Sequence, residues 1–304
     1  MTRHNEAPDP HMDRPVLILG SGGMLGRAFR ELLTSAGVEH RCLGRADLDL
    51  ARPDSIQRGI TERWSLVVNC AAWTDVDGAE ANEAAATAVN GSGVGHLAAA
   101  CLRSGSPLLH FSTDYVFSGR SADPYRVDQA RQPLNAYGRS KAVGEELIQA
   151  AVDQGLRALV VRTSWLYAPW GKNFVRTIAK AAREKPSLRV VNDQRGTPTS
   201  SQHLAKGSFQ LACQGLWGTA HVTDGGQCTW YDLASAIAAS VSPACRVEPC
   251  TTAEFPRPAT RPSYSVLDVS TTEAALGPLP GWRACLAPVL SSLEDEYGAS
   301  SARK

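Results

Sequence analysis

The residues best suited to chemistry lie in one short segment, Tyr137-Gly138-Arg139-Ser140-Lys141, at the start of a predicted helix. Tyr137 and Lys141 are four positions apart, so their side chains share one face of that helix. A nearby ammonium favours the phenolate and lowers the pKa of a tyrosine. Tyr137 is therefore a candidate general acid for a carbonyl oxygen whose carbon receives a hydride from a nicotinamide. Because an exposed helix face often carries the same spacing, the pattern needs a supporting context.

That context precedes the segment, where Ser112-Thr113-Asp114-Tyr115 follows the apolar run Pro107–Phe111. A hydroxyl at the carboxyl end of a parallel strand can point at a developing oxyanion, and Thr113 is the candidate. A Ser/Thr/Asp turn that caps the strand end would explain the same residues.

A glycine-rich loop runs from Gly20 to Gly26, after the first predicted strand and into the first predicted helix. Its glycines allow a tight turn, a close approach of the backbone to a pyrophosphate and close packing of helix on strand, while free amides hold the anion. The spacing G-x-x-G-x-x-G of Gly20, Gly23 and Gly26 differs from the G-x-G-x-x-G fingerprint, and a plain turn could produce it. Its place on the first strand of a βαβ run favours dinucleotide binding.

The residue that closes the second strand distinguishes NADPH from NADH. Arg45 stands there, and a guanidinium suits the 2′-phosphate of NADPH. The sequence therefore predicts NADPH, with NADH as the alternative if Arg45 is only a solvated surface residue. Asp49 and Leu50 follow and are expected to border the adenine.

Short apolar runs alternate with helical patterns through the first half of the chain, which is typical of βαβ units and a parallel sheet. We predict an α/β fold, a Rossmann-type doubly wound parallel sheet with a smaller, partly interleaved C-terminal substrate domain. Predicted strands are 16–19, 40–43, 66–69, 107–111, 158–161, 188–191 and 220–222; predicted helices are 24–36, 81–103, 136–152, 173–184, 230–240 and 282–293.

Domain boundaries follow from a change in rhythm after Arg162, where Trp, Pro and Asn become denser. We expect a disordered lead at 1–14 and an NAD(P)-binding domain at 15–164, to which a strand–helix unit near 217–240 returns. Residues 165–216 and 241–304 would form the substrate domain.

Composition excludes several classes of partner. The chain has 304 residues and a formal net charge of +1, so no strong field would attract nucleic acid or an anionic membrane. No apolar run reaches membrane-spanning length, and the lead lacks a signal-peptide core, so a cytoplasmic location is expected. The eight cysteines are scattered without ligand spacing, which favours free thiols over metal or redox sites.

Together, these motifs resemble the dTDP-4-dehydrorhamnose reductases, a branch of the extended short-chain dehydrogenases. The resemblance runs from about Val16 to Leu293. Besides the segments above, it is carried by Val68-Asn69-Cys70-Ala71-Ala72-Trp73-Thr74-Asp75-Val76-Asp77, Arg162-Thr163-Ser164-Trp165-Leu166-Tyr167, Asn192-Asp193-Gln194-Arg195-Gly196-Thr197-Pro198-Thr199 and Arg261-Pro262-Ser263-Tyr264-Ser265. Cys70 and Trp73 depart from the alanine and tyrosine usual in the family.

The resemblance implies roles for these positions. Tyr137 would be the catalytic acid, Lys141 would lower its pKa and hold the nicotinamide ribose, and Thr113 would bind the carbonyl oxygen. The nucleotide sugar would touch Thr113, Asp114 and Trp165. Taken together, the residue patterns above and the resemblance predict these cofactor contacts: Gly20, Gly23, Met24, Leu25, Gly26, Arg45, Asp49, Leu50, Ala71, Ala72, Trp73, Thr74, Tyr137 and Lys141.

The implied reaction is NADPH-dependent reduction of the C4 keto group of a dTDP-linked 4-ketosugar, dTDP-4-dehydro-L-rhamnose, to dTDP-L-rhamnose. Some family members use magnesium at a dimer interface; a homodimer and Mg²⁺ are thus compatible with the resemblance, but no metal ligand is assigned here. Three alternatives stay open: a reductase of a different dTDP-linked 4-ketosugar, a nucleotide-sugar epimerase or dehydratase, and a non-catalytic cofactor-binding regulatory subunit. Related dehydratases carry an acidic residue directly after the Ser-Thr-Asp segment, where it removes and returns a proton. Here Tyr115 follows Asp114, so that acid is missing at the expected place.

Overall fold

The computed structural model describes residues 13–301. Its strands are β1 (Val16–Leu19), β2 (His40–Leu43), β3 (Leu66–Asn69), β4 (Leu108–Thr113), β5 (Ala158–Thr163), β6 (Leu166–Tyr167), β7 (Ser187–Val191), β8 (Arg195–Gly196), β9 (Thr199–Ser200), β10 (Gly218–His221), β11 (Cys228–Thr229) and β12 (Arg246–Cys250). Its α-helices are α1 (Met24–Ser35), α2 (Pro53–Gly59), α3 (Val76–Ala81), α4 (Glu83–Thr87), α5 (Gly93–Ser104), α6 (Ala136–Val152), α7 (Phe174–Glu184), α8 (Ser201–Cys213), α9 (Trp230–Val241), α10 (Ser270–Leu276) and α11 (Trp282–Ser301).

Six strands within residues 13–301 form a parallel sheet in the order β2-β1-β3-β4-β5-β10. The inner strands are buried along their whole length and begin with aliphatic residues, as expected when helices cover both faces; polar residues occur only from the third position of each strand onward. Leu17 and Leu19 face a cluster that includes α5 and α6, whereas Val16 and Ile18 face one that includes α1 and α8. This architecture confirms the predicted Rossmann-type fold.

The predicted helix 81–103 is wrong as a single element. The chain instead forms α3, which ends at Ala81, then α4, a π-helical turn at Ala88–Ser92 and α5. In the π turn, the Asn90 side chain exchanges two hydrogen bonds with the backbone of Trp73, from Trp73 N at 2.9 Å and to Trp73 O at 3.0 Å. The helical pattern of the sequence gives no sign of this contact between Asn90 and Trp73, so it predicts one uninterrupted helix.

A second core is formed by the back half of the chain. The parallel pair β7–β12 packs with α7, α9 and α11 around buried residues such as Val175, Ile237 and Leu290. The predicted helices 173–184 and 230–240 correspond to α7 and α9, and the predicted strand 188–191 to β7. The C-terminal helix α11 extends beyond the predicted end at Leu293, and α2, α8, α10 and β12 were not predicted.

Segments of the six-stranded sheet and of the second core alternate along the chain more often than the expected domain boundaries allow. Strand β10 pairs with β5 in the main sheet, but α9, which follows β10, packs against α7. Helix α8 lies in the expected substrate segment 165–216, yet it packs against α1 on the sheet. We therefore propose that α8 and β10 belong with the sheet and that α9 belongs with the second core.

Residues 1–12 of the predicted lead lie outside the described residues; in its last residue, the Arg14 amide donates to Ser65 Oγ at 3.0 Å. All eight cysteines fall within the described range, and none of them forms a disulfide with another. Among the helices of residues 13–301, none combines the length and apolar character needed to cross a bilayer.

Candidate active site

A cleft of about 930 Å³ opens at the carboxyl ends of β1, β3, β4 and β5. Ligands of open α/β sheets bind at this edge. Among the residues that line the cleft are these sequence-predicted ones: Gly20, Gly23, Met24, Leu25, Arg45, Asp49, Leu50, Ala71, Ala72, Trp73, Thr74, Thr113, Asp114, Tyr137, Lys141 and Trp165. Gly26 does not line it; a Cβ there would lie 2.3 Å from the Gly20 carbonyl oxygen, so this glycine serves the packing of α1 on the loop.

The glycine loop is shaped for an anion. Gly20 has φ of +70°, and a Cβ there would meet the Ala71 amide at 2.6 Å. The N-cap of α1 is Gly23, which has no side chain that could bond the first amides of the helix. These amides therefore remain available for a ligand. A Cβ on Gly22 would meet no protein atom within 4 Å, which leaves room above the loop.

Arg45 stands at one end of the cleft with 84% of its side chain exposed. Its Nε lies 3.6 Å from Asp49 Oδ2, a long ion pair with a half-buried carboxylate that a phosphate can compete with. Asp49 is fixed by the backbone around it, since its Oδ1 accepts from the Ala51 amide at 3.0 Å.

Two buried asparagines that sequence reasoning missed hold the strip Ala71–Thr74. Asn69 Oδ1 accepts from the Ala71 amide at 3.1 Å, and Asn69 Nδ2 lies 3.0 Å from His110 Nδ1 on β4. Asn90 Nδ2 donates to Ser140 Oγ as well as to Trp73 O, each at 3.0 Å. The strip is thereby tied both to the sheet and to α6. An asparagine that ends an apolar strand, or interrupts an alanine-rich helix, was the available signal.

Helix α6 begins where Tyr137 can reach the cleft. The side chain of Asn135 caps it by accepting from the Gly138 amide at 2.8 Å, while Asn135 Nδ2 donates to the Thr260 carbonyl at 2.9 Å. Gly138 permits the helix to lie against the loop after β4, because a Cβ there would sit 2.2 Å from the Tyr115 carbonyl oxygen. The Tyr115 and Tyr137 rings meet edge to face at 6.1 Å.

Thr113, Asp114 and Tyr137 are neighbours at the end of β4. Thr113 Oγ1 donates to Asp114 Oδ1 at 3.0 Å and accepts from the Tyr115 amide at 3.2 Å, and its hydroxyl is near enough to the Tyr137 phenol to lower the pKa of that group. Burial raises the pKa of the Asp114 carboxyl to about 7, although hydrogen bonds from Ser265 and Thr113 oppose the rise.

The predicted lowering of the Tyr137 pKa by Lys141 is wrong for this structure. Burial of the phenol, followed by the Asp114 charge, raises the Tyr137 pKa, and the Thr113 hydrogen bond only partly offsets the rise. The Lys141 ammonium is turned toward β4 and donates to the Phe111 carbonyl at 2.8 Å. Its own pKa is lowered to about 8 by burial, while the Glu145 charge opposes that shift.

Beneath Lys141 lies a buried ion pair. Arg162 on β5 donates to Glu145 on α6 through Nε at 3.0 Å and Nη2 at 2.7 Å, and Arg131 reaches the same carboxylate at 3.1 Å. Although Glu145 is buried, these cations and hydrogen bonds hold its pKa below the usual value.

Trp165 lines the opposite wall of the cleft from an unusual backbone conformation. Its φ is +46°, a strained value for an aromatic residue, and its ring stacks on Trp230 with centroids 3.6 Å apart. Gly196 lets this ring lie close, because a Cβ there would approach the Trp165 indole within 2.6 Å.

No metal residue was predicted, and that prediction stays open. Within the described residues, one trio of metal-ligating type, His203, Asp224 and Cys285, has its ligand atoms within 4.8 Å of one another. The Asp224 carboxylate already accepts from Tyr167 Oη and the Ser200 amide, each at 3.1 Å, and lies 2.7 Å from His203 Nδ1. These hydrogen bonds satisfy the buried carboxylate without a cation.

Comparison with known proteins gives consistent matches. Residues 14–294 match the family model described as RmlD substrate binding domain. A dTDP-4-dehydrorhamnose reductase of Streptomyces griseus is 43% identical over 280 residues, covering 89% of this chain and 91% of the relative. A probable dTDP-4,6-dihydroxy-2-methyloxan-3-one 4-ketoreductase of Streptomyces antibioticus is 41% identical over 278 residues, covering 89% and 92%. The dTDP-4-dehydrorhamnose reductase of Bacillus anthracis, solved in complex with NADP, superposes with a TM-score of 0.86 at 32% identity, covering 91% of this chain and 99% of that one.

Proposed function

The chain belongs to the dTDP-4-dehydrorhamnose reductase family, and we propose that it reduces the C4 keto group of dTDP-4-dehydro-L-rhamnose with NADPH to give dTDP-L-rhamnose. The observation that carries the proposal is the meeting of Thr113 and Tyr137 at the end of β4, in the same cleft as the glycine loop.

The residues present fit a nicotinamide dinucleotide. The uncapped start of α1 and the open space above Gly22 suit a pyrophosphate, and exposed Arg45 suits a 2′-phosphate. A relative of the same family has been solved with NADP. When bound, the cofactor supplies the hydride for the keto carbon.

Tyr137 supplies the proton in this mechanism. Because burial and Asp114 raise its pKa, the phenol stays protonated at neutral pH, which is the state that a general acid requires. The carbonyl oxygen gains negative charge as hydride reaches its carbon, and the phenol proton moves to that oxygen. Thr113 Oγ1, beside the phenol, is placed to donate to the same oxygen once it leaves Asp114.

Lys141 then acts through its charge and its hydrogen-bond donors. Its ammonium is held at the strand end by Phe111, close to the space that the nicotinamide ribose would fill. A positive charge there stabilises both the ribose contact and the developing oxyanion. Asp114 and Trp165 would contact the sugar on the remaining sides of the cleft.

The alternatives differ in how much support they have. The Streptomyces antibioticus relative acts, by its name, on a different dTDP-linked ketosugar, so a reductase of another 4-ketosugar is the second candidate. A dehydratase has less support because Tyr115, whose pKa burial raises, follows Asp114. A regulatory subunit would not require Thr113, Tyr137 and Lys141 together. A homodimer, a need for magnesium and a cytoplasmic location stay predictions.

Product analysis by NMR tests the choice of substrate. The protein is incubated with NADPH and dTDP-4-dehydro-L-rhamnose, and we expect dTDP-L-rhamnose. A product with the opposite C4 configuration, or turnover only of another dTDP-4-ketosugar, would favour the second candidate. A protein that binds NADPH but converts no ketosugar would favour the regulatory subunit.

A further inference from the structure

Three cationic side chains line the cleft: Arg45, Lys141 and Lys172. The first pairs with Asp49, and the second donates to Phe111. Within residues 13–301, the Lys172 ammonium has no hydrogen-bond or ion-pair partner. An exposed lysine at a cleft wall is ordinary by itself, so what matters is how the backbone beneath it is held.

The segment that carries Lys172 is fastened to the start of α1. Trp170 Nε1 donates to the Met24 carbonyl at 3.1 Å, and the Arg27 guanidinium lies over the Trp170 ring at 4.2 Å. Gly171 has φ of +70°, and a Cβ there would lie 3.0 Å from Met24 Cγ. Residues 170–172 therefore lie against the turn of α1 whose free amides face the cleft.

Asn173 fixes the same segment from inside. Its Nδ2 donates to the carbonyls of Ala168 at 2.9 Å and Trp170 at 3.2 Å, and its Oδ1 caps α7 by accepting from the Arg176 amide at 3.1 Å. Asn173 is buried, so the position of its neighbour Lys172 is set by a satisfied hydrogen-bond network.

The three cations are placed differently along the cleft. Arg45 follows β2 at the adenosine end, and Lys141 lies at the end of β4 where the keto group is reduced. Between them, the glycine loop and residues Met24–Gly26 of α1 provide amides and a helix dipole but no charged side chain. Arg27, which follows, pairs with Glu31 at 2.8 Å and does not line the cleft. A pyrophosphate carries two negative charges, and Lys172 is the cation held beside that loop.

We infer that Lys172 binds the pyrophosphate of the nicotinamide dinucleotide, as the cationic partner of the α1 amides. The inference rests on the proposed function. A diphosphate also occurs in the sugar nucleotide, but the fastening of residues 170–173 to Met24 places Lys172 on the cofactor's side of the cleft.

The test compares K172M, which keeps the aliphatic stem and removes the charge, with K180M as the matched control. Lys180 is an exposed lysine on α7 that pairs with Glu184 at 3.9 Å, outside the cleft. Dissociation constants for NADPH and NADH are measured by calorimetry at low and high salt, together with the KM of the sugar nucleotide at saturating NADPH.

We expect K172M to weaken NADPH and NADH by the same factor, roughly tenfold, with a smaller salt dependence than wild type. K172R should restore most of the affinity, and K180M should bind both cofactors like wild type. The KM of the sugar nucleotide should stay within about twofold.

Three results would overturn the inference: unchanged dissociation constants in K172M, a loss confined to NADPH, which would place Lys172 at the 2′-phosphate, or a loss confined to the KM of the sugar nucleotide. A wild-type protein that binds neither cofactor would overturn the proposed function and this inference together. Wild-type binding with an unaffected K172M overturns only the role of Lys172.

Discussion

The Lys141 ammonium donates a 2.8 Å hydrogen bond to the Phe111 carbonyl, so its charge is held against the end of β4. Four residues earlier on the same helix, Tyr137 reaches Thr113 without a charge contribution from Lys141. The spacing of four therefore brings both side chains to one site, where Lys141 bonds the Phe111 carbonyl and Tyr137 lies beside Thr113.

The pH dependence of turnover follows from that placement. Burial lowers the Lys141 pKa from 10.5 to about 8, so the ammonium prevails below pH 8 and the neutral amine above it. We expect kcat/KM, which reports the protein before the substrate binds, to fall as the pH rises through about 8. Between pH 8 and 10.5, Lys141 carries a proton in the unfolded chain but not in the folded one. Its contribution should therefore make the free energy of unfolding increase with pH across this range.

A pH–rate profile with Lys141→Met alongside checks this expectation. The variant should show low turnover without the basic limb. Asp114, with a pKa raised to about 7, would give a separate and more acidic limb that Asp114→Asn removes. A wild-type profile that stays flat past the Lys141 pKa of about 8 would contradict the assignment.

Arg45 should control the choice of cofactor. Arg45→Ala removes the guanidinium that suits a 2′-phosphate, so it should weaken NADPH by roughly tenfold and NADH hardly at all. Separate titrations of both cofactors measure the difference, with the exposed Arg126→Ala as control. Equal losses for NADPH and NADH would mean that Arg45 does not contact the 2′-phosphate.

The buried Arg162–Glu145 pair should dominate the stability of the layer beneath Lys141. Arg162→Met leaves the Glu145 carboxylate with Arg131 as its remaining ion-pair partner, so we expect the free energy of unfolding to fall by about 3–5 kcal/mol. Urea unfolding measures the loss, and the double variant Arg162→Met with Glu145→Gln should recover part of it.

The exposed pair Arg126–Asp128 is the control, since Arg126→Met should leave the unfolding midpoint unchanged. A midpoint equally unaffected by Arg162→Met would show that the pair does not stabilise this layer.

Local patterns predicted the parts of the site that lie within one element. The start of α6 at Ala136, the glycine turn and the position of β4 each follow from capping, conformational or hydrophobic signals a few residues long, although β4 runs to Thr113, beyond its predicted end at Phe111. The parallel sheet followed from the alternation of such elements, because parallel strands require crossovers.

Contacts between distant segments could not be predicted in this way. The pairing of Asn90 with Trp73 and the fastening of Trp170 to Met24 depend on tertiary approach. Helix α8 escaped prediction because small residues, among them Ala205, Gly207 and Ser208, make up much of its buried face and give a weak hydrophobic period. The pKa of Tyr137 was predicted with the wrong sign because burial, which the sequence does not display, exceeds the effect of charge.

The most direct test of the central claim is NADPH consumption with dTDP-4-dehydro-L-rhamnose, measured for wild type, Tyr137→Phe and Tyr231→Phe. Tyr231 lies on α9, away from the cleft, and serves as the matched control. We expect wild type and Tyr231→Phe to turn over alike, and Tyr137→Phe to lose on the order of a hundredfold or more in kcat, with its NADPH affinity retained. Near-wild-type turnover by Tyr137→Phe would contradict the assignment of Tyr137 as the acid.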